Sequence, residues 1–153
     1  MASITFNISK GRVVEIYARV KNNDPANSAL ILVPIETTGL EADATLIDAD
    51  TLAALLAGTT NEQGTMGRKT LTDADLAALP APDDTNDRYD VSLPTVTWTA
   101  ATGNAISKIA VCYDADTTTG TDANIIPLTM FDFSLVPDGS DIQMTGGVFF
   151  RAS

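Results

Sequence analysis

From Arg88 to the end of the chain, apolar and polar residues alternate in short runs, a period of two that suits a half-buried strand and no helix. Tyr89, Val91 and Leu93 form one such series, Val96 and Trp98 a second, Ile109, Val111 and Tyr113 a third, and Phe131, Phe133 and Leu135 a fourth. Turn-forming stretches separate them: TAATGN (99–104), DADTTTGTDAN (114–124) and PDGSD (137–141). This spacing predicts a mainly β domain with short helices, a β-sandwich or jelly-roll-like fold in which Trp98 and the phenylalanines fill the core. With 153 residues the chain is long enough for one domain with a core that needs no disulfide or metal to hold it.

The remainder divides in two. In residues 1–38, Ile4, Phe6 and Ile8 alternate with polar neighbours as a strand. Residues 12–21 then read as a helix capped by Ser9, with Val13, Ile16, Tyr17 and Val20 on one face and Arg12, Glu15 and Arg19 on the other. Its competitor is a strand with Val14, Ile16, Ala18 and Val20 inward; the i,i+4 spacing of Glu15 and Arg19 favours the helix. The continuous apolar run from Ala29 to Ile35 predicts a buried strand. Residues 39–88, richer in Ala and Leu, read as a helix and loop insertion lying on the surface. Within it Asp50 caps a helix over 51–57 and Thr72 caps one over 73–79, and the loops 58–67 and 80–87 are surface by composition. The echo between IDADTLAALLAG and LTDADLAALP is two similar capped helices, since two matches do not make a solenoid.

Residue chemistry argues against an enzyme. There is no histidine, a single cysteine and no glycine-rich phosphate loop, so no cofactor is expected. Cys112 lies in an apolar run with no histidine to activate it, and reads as a small core residue; a single cysteine points to synthesis in a reducing compartment or to indifference to redox. The first residues lack an apolar segment of signal-peptide or membrane-span length, so neither membrane insertion nor secretion is expected. A net charge of −11 disfavours nucleic acid as a partner. Sixteen of the twenty acids are Asp, a residue of turns and caps. One loop has oxygen ligands at calcium-like spacing, Asp114, Asp116, Thr118 and Asp122, but its glycine is one place late and the closing glutamate of an EF-hand is absent, so a hairpin turn is the expectation and no metal site is assigned. The bases, by contrast, are bunched: Lys10, Arg12, Arg19 and Lys21 stand against Glu15 alone in the first 21 residues. That segment is the candidate partner contact.

The phrases KGRVVEIYARVKNNDPANSALILVP, GLEADATLIDADTLAALLAGTTNEQ, GRKTLTDADLAALPAPDDTNDRYDV, VTWTAATGN and VCYDADTTTGTDANIIPLTMFDFSLVPDGSDI together resemble a group of small tailed-bacteriophage virion proteins. The resemblance covers nearly the whole chain and transfers no catalytic or metal-binding residue. It implies a structural role on the particle, a head decoration or cement protein on the outer face of the shell, synthesised in the host cytoplasm, with the major capsid protein as partner and a homo-oligomer, trimer or dimer, as its form. A tail, connector or spike subunit has the same composition. The alternative from another class is a carbohydrate-binding module using Trp98, Tyr89 or Tyr113 as stacking rings.

Overall fold

The computed structural model describes residues 3–153. In chain order these form β1 (Ser3–Thr5), a single 3-10 turn (Asn7–Ser9), α1 (Val13–Lys21), β2 (Ala29–Glu36), α2 (Asp43–Leu46), α3 (Leu52–Leu55), β3 (Lys69–Leu71), α4 (Asp73–Leu76), β4 (Tyr89–Leu93), β5 (Val96–Trp98), β6 (Ile106–Asp114), β7 (Ile126–Leu135), β8 (Ile142–Met144) and β9 (Gly147–Ala152). The long strands β2, β6 and β7 are the middle of a five-stranded antiparallel sheet in the order β1-β7-β6-β2-β3. Two antiparallel ribbons, β4 with β9 and β5 with β8, stand apart from it.

The apolar run of β2 has no alternation because both faces of this sheet are covered. Register places Leu32 opposite Val111, and Val111 opposite Thr129. On that face Leu30, Leu32, Ile109, Val111 and Phe131 pack against the inner side of α1, Leu76 of α4, and Val91, Leu93, Trp98, Met144 and Phe149 of the two ribbons. The opposite face carries Ile31, Val33, Ile35, Ala110, Cys112 and Met130, and is closed by Phe6, Leu46, Leu52 and Leu55. The domain is mainly β and β-sandwich-like, with short helices sealing the second face of the main sheet.

Four sequence expectations change. First, the 39–88 segment is not a surface appendage: Leu46, Leu52 and Leu55 are nearly inaccessible, and Lys69–Leu71 supplies an edge strand paired with Leu30–Leu32. Second, the 58–67 loop has a buried anchor. The Gln63 side chain donates to the Thr102 and Asn104 carbonyls (3.0 and 3.2 Å) and accepts from the Thr65 and Met66 amides (2.7 and 3.0 Å). Third, the caps move. Thr51, not Asp50, caps α3 by accepting from the Ala54 amide at 3.0 Å, because its oxygen sits three residues before an unpaired donor. Thr72 does cap α4, where the Asp75 carboxylate reaches back to the Thr72 amide at 2.8 Å, but that helix ends at Leu76. Fourth, β1 ends at Thr5 instead of running through Ile8. The Ser9 hydroxyl donates to the Pro127 carbonyl at 2.5 Å, which holds Asn7–Ser9 as a turn and removes Ser9 as cap of α1. The helix itself is present as expected, with Arg12 as an N-cap that makes no side-chain bond.

Candidate partner-contact surface

The four bases proposed for contact all lie on or beside α1, and the structure separates them into two kinds. Val13, Ile16, Tyr17 and Val20 anchor the helix in the core, which turns Arg12, Glu15 and Arg19 outward. Arg19 pairs with Glu15 at 3.0 Å, the predicted i,i+4 contact. Lys21 donates to the Leu79 and Pro80 carbonyls at 2.6 and 3.2 Å, tying α1 to the chain after α4. These two cations are therefore engaged within the protein. Lys10 and Arg12 are exposed and flank Gly11, whose φ of +79° makes the sharp entry into the helix.

The five remaining bases are engaged as well. Arg68 forks between Glu62 (2.6 and 2.7 Å) and Asp122 (2.7 and 2.9 Å). Arg88 lies 3.4 Å from Asp90, which also takes Arg151. Lys108 bridges Asp132 at 2.6 Å and Asp43 at 3.3 Å. Lys69 sits 5.9 Å from the centre of the Trp98 ring. Among the described residues, only Lys10 and Arg12 of the nine bases make no ion pair, side-chain hydrogen bond or ring contact. On so acidic a chain, two adjacent uncommitted cations form a distinct spot of positive potential.

In the 114–122 loop the carboxylates point to separate partners. Asp114 accepts from the Asp116 amide at 3.0 Å; Asp116 accepts from the Thr118 amide and hydroxyl (3.0 and 2.6 Å), which lowers its pKa; and Asp122 is held by Arg68, whose hydrogen bonds depress its pKa in turn. The same contacts, with Glu62 first, raise the Arg68 pKa. The loop is a side-chain-closed turn joining β6 to β7, and among the described residues no three His, Cys, Asp or Glu side chains gather as ion ligands. Cys112 is fully buried, and burial pushes its thiol pKa up to about 12. Trp98 is 1% exposed with its indole N–H donated to the Gly67 carbonyl at 2.9 Å, and Tyr113 is likewise buried, so neither ring offers a stacking face, while Tyr89 reaches the surface only as the lining of a groove.

Sequence reasoning missed a groove at the other end of α1. Ala18, Lys21 and Asn22 form one wall of a pocket of about 320 Å³ whose other wall is Ala81, Pro82 and Tyr89. It continues across Pro82 and Tyr89 into an open pocket of about 510 Å³ rimmed by Asp83, Asp84, Asp87 and Arg88. Asp83 shapes this rim by accepting from the Thr85 and Asn86 amides (3.1 and 3.2 Å) and the Asn86 side chain (2.7 Å). The signal in the sequence was PAPDDTND, whose prolines and Asx turns build a rigid rim, but nothing local says that α1 ends against it. Electrostatic docking is what these surfaces can do, and neither assembles a reacting group. No protein family, curated protein or solved structure matches the chain.

Proposed function

We propose that this chain is a non-enzymatic structural component of a bacteriophage particle, a capsid decoration or cement protein that binds and stabilises the head shell. The observation that carries this reading is that, among the described residues, Lys10 and Arg12 are the uncommitted cations of an acidic domain, placed either side of Gly11 in one exposed turn. Such a turn favours an acidic protein surface and contributes chiefly to orientation and association rate. The resemblance of the chain's strand-and-turn phrases to small virion proteins points the same way. Counting the chain in purified particles is the decisive measurement: hundreds of copies agree with decoration, about a dozen with a connector position, and none overturns the reading. Replacing Lys10 and Arg12 by Glu lowers occupancy on the particle and makes the remainder less sensitive to salt. Unchanged occupancy across a salt series removes these two residues as the contact.

A further inference from the structure

Lys10 and Arg12 stand at the N-terminal end of α1, and the groove around Pro82 and Tyr89 opens at its C-terminal end. Nine helical residues rise roughly 13 Å, so the body of the helix keeps the basic turn and the groove apart within one chain. Asp84 and Asp87 on the groove's rim are exposed and, among the described residues, make no ion pair and accept no hydrogen bond, whereas Asp83 is occupied by its own turn and by Arg88. The other open acidic pocket, beside Arg68, differs. Its Asp122 is held by that guanidinium and its Asp114 by a backbone amide.

We propose that the Lys10–Gly11–Arg12 turn of one copy seats in the Pro82–Arg88 groove of a second copy, so that the protein assembles head to tail with itself. This rests on the reading of Lys10 and Arg12 as an external contact and names its partner. Two uncommitted cations meet two uncommitted carboxylates across a concave surface. The helix macrodipole adds to the attraction, since the positive end of α1 in one copy approaches the region of the negative end in the next. Made once per pair, the contact is heterologous and propagates into a ring when the rotation between copies closes; made reciprocally, each turn in the other's groove, it closes a twofold dimer, and the sedimenting mass tells the two apart.

Sedimentation velocity of the purified full chain over a range of concentration and salt tests this. The wild type is expected to self-associate at low salt and to weaken roughly tenfold or more as salt rises, because exposed ion pairs are screened. Lys10→Glu with Arg12→Glu abolishes assembly, and so does Asp84→Lys with Asp87→Lys, both with unchanged melting because all four side chains are exposed. Combining all four reversals restores it. A wild type that stays monomeric throughout, assembly indifferent to either pair of reversals, or a fourfold reversal that stays apart would each overturn the inference. The two proposals fail separately. A monomeric chain that still loses particle occupancy on reversal of Lys10 and Arg12 sinks head-to-tail assembly alone, and an assembling chain absent from particles sinks only the virion role.

Discussion

Gln63 uses two donors and two acceptors on four backbone groups, and the side chain is 1% exposed. It joins the 58–67 loop to the turn at 102–104. Gln63→Leu is expected to lower stability by roughly 2 kcal/mol in a denaturant titration, near the low end for so many lost bonds because three of the four freed backbone groups, those of Thr65, Thr102 and Asn104, lie in exposed residues and regain water. Gly103→Ala probes the same joint from the other side. Its Cβ would stand 2.0 Å from the Gln63 Nε2 atom at a φ of +112°, so both sterics and backbone strain oppose it. Asp122 is one residue whose charge state matters at acid pH, and it is partly buried. Its folded pKa is depressed by Arg68, so the stability it contributes is complete above the unfolded value near 4 and is lost as pH falls through the lower folded value. Melting temperature followed from neutral pH to about pH 3 therefore falls less steeply in Asp122→Asn than in the wild type, which starts higher. A parallel pair of curves would show that the Arg68 contact is electrostatically idle.

The short helices are the elements on which sequence and structure part company. In α3, Leu52 and Leu55 are fully buried against Ile31, Val33 and Cys112 on the far face of the main sheet. Leu52→Ala and Leu55→Ala should each cost about 2–5 kcal/mol in chemical unfolding, as core truncations do. A surface insertion would lose well under 1 kcal/mol. Deleting Thr59–Thr65 should prevent folding, since it removes Gln63 together with the backbone bonds of Asn61 and Gln63 to β2 and seven residues of the link from α3 to β3. The strands from Tyr89 to Leu135 were readable because alternation at period two is a local property of the chain, and α1 was readable because Glu15 and Arg19 mark one helical face. The closure of the second face was not readable. Four-residue helices such as LAAL and DADL carry no periodicity of their own, and their near-identical phrases serve opposite faces, Leu52 and Leu55 on one and Leu76 on the other. Lys69–Leu71 is equally silent, a three-residue edge strand that exists because β2 offers it a register. The basic turn was half legible: the cluster of four was visible, but whether Arg19 and Lys21 were engaged depended on Glu15 and on carbonyls almost sixty residues away.

At the scale of the whole molecule, an acidic surface around a doubly covered sheet makes a domain whose copies repel one another except where charge is reversed. The helix layer has a further effect through Cys112, the single thiol of the chain, seated at full burial on the face that α2 and α3 close. A disulfide-exchange reagent should leave the folded protein unlabelled and react in step with unfolding, so the labelling rate measures how often this layer opens. Rapid labelling under conditions where circular dichroism reports a folded chain would mean that the helices detach on their own. If they do not, a concentrated stock contains many copies of a molecule with no accessible thiol. Neighbours packed at high density then have no disulfide route to one another, and oxidation does not lock their contacts through cysteine.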